Sequence, residues 1–470
     1  MRKLIWILLV LVIASCKMGK NYQGSELEIP DEYRFGKTTD IPEEFLVKTD
    51  TLEADTLVDF DWFAIFNDPV LDSLVVQALN HNQDLGIAAE NVYQAQLALS
   101  NQKTEMLPEF NYQAGASRGN FQQVVLPSEQ NVFFGFGAVN WELDFWGKFR
   151  RLNEAARADL IGTTEGYRAA QISLTSTVAD VYFQLLEYET RLDISVQTVA
   201  LRDSMLGIIN MRFDKGIIPE IDVNQAQIQL AIAQAQVPIW KRLIAQTENL
   251  LSVLTGQNPR TIEVGLPLHD QETSAVLPEG TPLDILSRRP DVLSAEQALV
   301  AQNALVGAAQ ANRLPSISIT GLLGVAGNEL DGLGSTGPAW NLGASLLGPL
   351  FYFNRFKRIA DIEKSRRNQA QLAYERTVLE AFQEVEDVLI GITTLKEELE
   401  ARRAHVEAAT NAQRLSQARY SEGVTSYLEY LESQRQKFEA QLNYAGTKQQ
   451  LLAAYAQLYK ALGGGWRINS

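Results

Sequence analysis

The chain has 470 residues, 57 acidic against 41 basic, for a net charge of -16. That balance argues against nucleic acid, whose phosphates need a basic stripe. With 46% hydrophobic residues the chain can bury a large core, and no run of 18 or more apolar residues follows the N-terminus, so no transmembrane helix is expected in the mature chain.

Arg2 and Lys3, the apolar stretch Leu4 to Ile13 and the small residues Ala14 and Ser15 predict a signal peptide over 1–15. Ile13-Ala14-Ser15-Cys16 has the form of a bacterial lipobox, which makes Cys16 the expected lipidation site and mature N-terminus. The alternative is an ordinary signal whose cleavage site contains a cysteine. Cys16 is the only cysteine, so no intramolecular disulfide can form. Residues 16–61 are polar, without a sustained period, and predict an extended lipid-anchored arm.

A first structural repeat is expected over 62–256. Asp68-Pro69 suits a helix start, and a helical pattern runs on toward Leu107-Pro108. The period then becomes two across a predicted β-hairpin at 108–145. Phe110, Tyr112, Ala114 and Ala116 define one apolar face, and Val132, Phe134, Phe136 and Ala138 are read as its partner in the second strand. Strands of about ten residues have the length of tilted membrane strands. Trp141, Phe145 and Trp146, with Trp340 in the second half, are candidate membrane-interface aromatics. A soluble hairpin with an aromatic cluster is the alternative.

A long helix follows at 147–215, about 100 Å at ~1.5 Å per residue. Leu174, Val178, Val181, Leu185, Tyr188 and Leu192 step through it as a narrow coiled-coil seam. Gly216 and Pro219 predict a tight turn, and a return helix is expected at 220–255 with a kink at Pro238. Residues 257–281, rich in proline, read as a linker.

The chain then repeats itself. Adding 207 carries the seam to Ala381, Val385, Val388, Ile392, Leu395 and Leu399, Arg212 to Arg419 and Gly216 to Gly423. A register held without net gap is the mark of internal duplication. It predicts a second repeat over 282–463, with a hairpin at 315–352, a long helix at 354–421 and a return helix at 427–462, then a tail at 464–470. Four membrane strands cannot close on themselves, because an open edge in lipid leaves backbone groups unpaired. Several chains must share one barrel.

Trp62-Phe63 with Asp68-Pro69-Val70-Leu71, Arg288-Arg289-Pro290-Asp291-Val292 with Ala295-Glu296, Leu314-Pro315, Leu350-Phe351, and Arg419-Tyr420 through Gly423-Val424 to Tyr427-Leu428 are the residues by which the chain resembles the TolC-like outer-membrane efflux factors, in particular their lipid-anchored subgroup. The likeness covers nearly the whole mature chain. It implies a mainly α fold with membrane β: a homotrimer with a 12-stranded β-barrel, a 12-helix α-barrel tunnel and an equatorial belt. It implies a passive outer-membrane exit duct of a Gram-negative bacterium, partnered by a periplasmic adaptor, an inner-membrane resistance-nodulation-division pump and outer-membrane lipid. No cofactor is implied beyond the acyl lipid on Cys16.

In that family, acids after the last helix turn ring the periplasmic tip. The matching residues here are Glu429 and Glu432, three apart and on one helix face, with Asp222 aligned to Glu429 in the first half. Thr425 stands where several lipid-anchored relatives carry aspartate, so the outermost constriction is expected to be less charged. The alternative for the glutamates is simple complementation of a helix dipole. The turns themselves, with Gly216, Gly423, Arg212 and Arg419, are the expected contact with adaptor or pump. For Arg288 and Arg289 the sequence favours a structural part, with Pro290 and Asp291 starting a helix and the arginines pairing with acids of the belt.

Gly332-Leu333-Gly334-Ser335-Thr336-Gly337 matches a dinucleotide pattern but lies between two strand candidates, so it reads as a hairpin loop. His81, His269 and His405 are scattered and form no metal set. No nucleophile, base and orienting group coincide, so no enzyme activity is expected. The competing functional class is a lipid-anchored periplasmic coiled-coil scaffold or adaptor without a membrane barrel.

Overall fold

The computed structural model describes residues 17–24, 62–120, 129–272, 288–333 and 337–464. The signal at 1–15, Cys16, the arm beyond residue 24, part of the loop at 332–337 and the tail from 465 lie outside the described residues. In chain order the elements are α1 (Trp62–Ile65), α2 (Pro69–His81), α3 (Gln83–Thr104), β1 (Glu109–Gly119), β2 (Gln130–Leu143), α4 (Lys148–Asp214), α5 (Glu220–Leu254), α6 (Pro290–Ala311), β3 (Ser316–Gly327), β4 (Ala339–Leu347), α7 (Arg355–Ser421) and α8 (Tyr427–Ala461). They fall into two compact units: residues 1–27, 90–165 and 293–377 in one, residues 28–89, 166–292 and 378–470 in the other.

The duplication is kept to the residue. Helices α3 and α6, α4 and α7, and α5 and α8 start and end 207 positions apart. The hairpins keep the same offset, since Glu109 pairs with Asn140 and Ser316 with Leu347. The turns keep it too: Gly216 and Gly423 close α4 and α7 at φ 68° and 75°, a left-handed conformation open to glycine. Helix α2 starts because the Asp68 carboxylate accepts from the backbone N–H of Val70 and Leu71 and Pro69 needs no donor partner. A break at Asn82 separates α2 from α3, and α5 runs through Pro238.

The first unit carries a four-stranded antiparallel sheet in the order β1-β2-β3-β4. Directly paired residues share a face, and the registers correct the sequence reading of β2. Tyr112 pairs with Gly137 and Ala116 with Phe133, so the face of Phe110 and Tyr112 continues through Phe133, Val139 and Trp141. It continues into Ile319 and Leu323, then Leu342, Leu346 and Trp340. Phe134 and Phe136 lie on the opposite face, among Gln113, Ser318 and Thr320. They stack on one another at 5.6 Å. The reason is glycine: Gly115 and Gly324 leave bare backbone where the two rings lie, and a Cβ at either would meet them. Periodicity within one strand cannot assign its face when glycines alternate with aromatics.

The apolar face is open, with Tyr112 92% and Trp340 74% exposed. Trp141 donates its indole N–H to the Met106 carbonyl at 3.0 Å and Trp146 to the Pro315 carbonyl at 2.7 Å. Phe145 packs edge-on against Trp146.

Residues 17–24 are bound to this unit by Arg151, whose side chain is almost wholly buried. Its guanidinium donates to the carbonyls of Met18, at 2.8 Å, and Gly19, and pairs with Glu154. Lys17 reaches Glu154 at 2.6 Å, and the Lys20 carbonyl accepts from Asn303. Burial pushes the Glu154 carboxyl up, but hydrogen bonds from Lys17 and the charge of Arg151 outweigh it and leave the group below its ordinary range.

In the second unit the narrow seam expected for the first long helix is too narrow. Val178, Val181 and Leu185 are buried, but so are Ala179, Tyr182, Phe183, Leu186 and Glu187. Other chain segments cover those extra positions. Tyr182 donates to Asp68 at 2.8 Å and accepts from the Gly265 amide, and Phe183 packs on Phe66. Gln271 also donates to Asp68, at 2.7 Å. On α7 the burial is closer to the predicted seam: Ala381, Val385, Val388 and Ile392, flanked by Val378 and Leu389.

Among the described residues no helix is long and apolar enough to cross a membrane.

Candidate functional site

The two helix turns of the second unit meet at one end of α4, α5, α7 and α8. Met205 and Ile209 of α4, Val223 and Ala226 of α5, Tyr420 of α7 and Tyr427 and Tyr430 of α8 form one buried cluster. Tyr420 stacks on Tyr430 at 5.8 Å and tilts against Tyr427 at 5.7 Å. The Arg212 guanidinium lies 4.8 Å from the centre of the Tyr420 ring, near enough for cation–π attraction. Arg202, also buried, donates to the Gln229 carbonyl at 2.6 Å and faces Phe438. Burial raises the phenols of Tyr420, Tyr427 and Tyr430, so all three stay neutral at physiological pH.

The sequence reading missed this tyrosine cluster as a unit. Its signal was present, because Tyr427 and Tyr430 are three apart and Tyr420 lies just before the glycine turn. The first repeat offers no equivalent, with Phe213, Glu220 and Val223 at the matching positions.

Backbone geometry builds the turns alike. The amides of Gly216 and Ile217 donate to Phe213 and Arg212, and those of Gly423 and Val424 to Tyr420 and Arg419. Their caps differ: Ser426 accepts from the Glu429 amide, whereas Pro219 gives no side-chain cap.

The two expected glutamates lie here, each with a cation. Glu429 pairs with Arg419 across the turn at 3.2 Å and accepts from the Thr425 hydroxyl. Glu432 pairs with Arg435 one turn further along α8 at 2.6 Å, which holds its carboxyl below the ordinary range. Arg435 also holds Glu439. Thr425, Glu429 and Arg419 therefore act together. Asp222 sits in the first turn of α5, and its charge helps raise Tyr420 and Tyr427. Around these groups Ile217, Ile221, Val424 and Leu428 stand exposed, an apolar rim on a charged end.

Arg289 lies away from the turns. It donates to the Ala461 carbonyl at 3.0 Å and pairs with Asp291 and Glu384, both at 2.7 Å.

A duplicated hairpin-and-long-helix chain, with a four-stranded sheet apolar on its open face and a helix-turn end of packed tyrosines and paired charges, defines a membrane channel subunit. The profile of the family "Outer membrane efflux protein" matches residues 74–257 and 282–464, the two repeats in turn, and the chain belongs to that family. A probable efflux pump outer membrane protein, SepC of Pseudomonas putida, is 32% identical over 415 residues, covering 87% of this chain and 86% of the relative. Among solved structures, the outer-membrane channel OprN matches with a TM-score of 0.87 at 26% identity, covering 96% of this chain and 100% of that one. The open state of the Neisseria gonorrhoeae MtrE outer membrane channel matches at 0.84 and 27% identity, covering 96% and 98%. The chain is an outer-membrane efflux channel and not an enzyme.

Proposed function

We propose that three copies of this chain form the exit duct of a tripartite efflux system, passively conducting small molecules handed on by a periplasmic adaptor and an inner-membrane resistance-nodulation-division pump. One observation carries the reading: an apolar face continuous over four strands, whose outer edges on β1 and β4 have no strand partner among the described residues. Such a sheet is stable in lipid only when further copies close it. A soluble scaffold has no use for that face.

The tip is the gate. Tyr420, Tyr427 and Tyr430 with Arg212 hold the two helix pairs together, and Glu429 and Glu432 set the charge at the opening. The rim of Ile217, Ile221, Val424 and Leu428 suits an adaptor's apolar contact. Cys16 carries the acyl lipid, and Trp141, Phe145, Trp146 and Trp340 anchor the sheet at the membrane interface.

The test is reconstitution of the purified chain in planar bilayers, with heating in mild detergent alongside. A conducting, heat-resistant trimer is expected. A chain that stays monomeric and soluble without detergent would overturn the proposal.

A further inference from the structure

The repeat extends to the way the strands pair. Within the chain, β2 of the first repeat pairs with β3 of the second so that paired residue numbers add to 460, as for Phe133 with Gly327 and Leu143 with Ile317. Moving β2 forward by 207 gives β4, and moving β3 back by 207 gives β1. The sum is unchanged.

We propose that β4 of one copy pairs antiparallel with β1 of a second copy of this chain at that same sum, placing Leu346 opposite Ala114, Gly348 opposite Tyr112 and Leu350 opposite Phe110 of the second copy. This rests on the trimeric reading above and adds to it a residue-level register.

Three observations point the same way. First, strand ends differ where the inference requires. β2 pairs with β1 only as far as Asn140 and goes on to Leu143 beside β3 alone. β4 stops at Leu347, the equivalent of Asn140, and Leu350, the equivalent of Leu143, is left 99% exposed. What holds the end of β2 is what the end of β4 lacks.

Second, the faces agree. Leu346 shares the apolar face with Ile317, and Ala114 shares it with Gly135. A register with an odd sum would set the apolar face of one copy against the polar face of the next.

Third, positions buried between the repeats have exposed apolar equivalents. Ala155 of α4 and Ala304 of α6 are 4% and 0% exposed in one cluster. Their equivalents, Ile362 of α7 and Leu97 of α3, are 52% and 47% exposed. Likewise Ile172 is 3% exposed, and its equivalent Leu379 is 67% exposed. Charge follows: Gln449 donates to Asp180 at 3.3 Å within the chain, and the equivalent pair between copies is Asp387 with Arg242.

The test uses the full chain in outer-membrane vesicles. Paired cysteines Leu346→Cys with Ala114→Cys are oxidised beside two controls on the same face, Leu346→Cys with Tyr112→Cys and Leu346→Cys with Ala116→Cys. Diagonal neighbours are too far apart for an unstrained disulfide. The pair summing to 460 is expected to give covalent dimers and trimers at least tenfold more than either control. Stronger linking by a control, or no linking in any pair while the heat-resistant trimer persists, overturns the register and leaves the trimer standing. Absence of the trimer from the unmodified chain overturns both. Asp387→Arg and Arg242→Asp supply an independent reading: each alone is expected to lower the trimer's melting point, and the two together to restore it. No restoration overturns the pairing.

Discussion

Asn82 and Arg289 occupy the same place in the two repeats and make the same bond. The Asn82 side-chain amide donates to the carbonyl of Leu254, the last residue of α5, at 3.0 Å. The Arg289 guanidinium donates to the carbonyl of Ala461, the last residue of α8, at 3.0 Å. Each satisfies a carbonyl that a helix end leaves without an internal partner. The second repeat has replaced an amide by a guanidinium and added two acids to it, Asp291 and Glu384.

Removing Arg289 should therefore cost more than removing Asn82. Asn82→Ala loses two hydrogen bonds, the one to the Leu254 carbonyl and the one its side-chain oxygen accepts from the Leu85 amide at the start of α3, together about 1–2 kcal/mol. Arg289→Ala takes from Asp291 its cation and leaves Glu384 only its longer contact with Lys460 at 4.0 Å, and since both acids are partly exposed the loss should be about 2–3 kcal/mol, less than for a fully buried pair. Thermal unfolding of the detergent-solubilised trimer measures both.

The same pair predicts an acid sensitivity. Burial raises the Asp291 carboxyl, but the hydrogen bond and charge of Arg289 outweigh it and set it below the ordinary value of 3.8. A carboxyl lowered in the folded state adds stability above its ordinary value and loses it as pH falls through the lowered one. The melting point should therefore decline below about pH 4, and Arg289→Ala should flatten that decline.

Arg151→Ala should release residues 17–24 without affecting the acylation proposed for Cys16. Intact-mass measurement is expected to give the same mature mass, with the proposed lipid, for both proteins apart from the substitution, and limited proteolysis would show cleavage near Met18 and Gly19 that the unaltered protein resists. Gly307→Val should do the same, because a side chain there would strike Arg151 and the Met18 carbonyl.

At the tip, Glu429→Gln with Glu432→Gln should lower cation preference in bilayer conductance. Arg419→Gln frees Glu429 from its partner and should raise it. Unchanged selectivity in both would show that these carboxylates do not line the conducting path.

Gly324→Leu should prevent the sheet from forming. The new side chain would meet Phe136 and the backbone of Gly135, and the heat-resistant trimer should be lost from outer-membrane extracts.

Much of this is legible in the sequence. The long helices announce themselves because no proline interrupts 128–218 and a glycine ends each, and the duplication follows from a constant offset. The face of β2 was not legible, since alternation in a single strand leaves the choice between Phe133 and Phe134 to its neighbours. Nor was the burial of Tyr182 and Phe183, which depends on Phe66, Asp68 and Gly265, far away in sequence. At the tip the carboxylates could be found by spacing. Arg435 lies within one helical turn of Glu432 and could have been read as its partner, whereas the pairing of Glu429 with Arg419 depends on the shape of the glycine turn.

The equal lengths of α4 and α7, 67 residues each, constrain how such a chain can change over evolutionary time. One residue inserted into a helix rotates everything beyond it by about 100° and advances it by ~1.5 Å. An insertion in α4 alone would turn Arg212 away from Tyr420 and put its two glycine turns out of step. Viable length variants of either long helix should therefore arise as matched changes in both repeats, or as whole numbers of turns, while the loop between β3 and β4 stays free to drift.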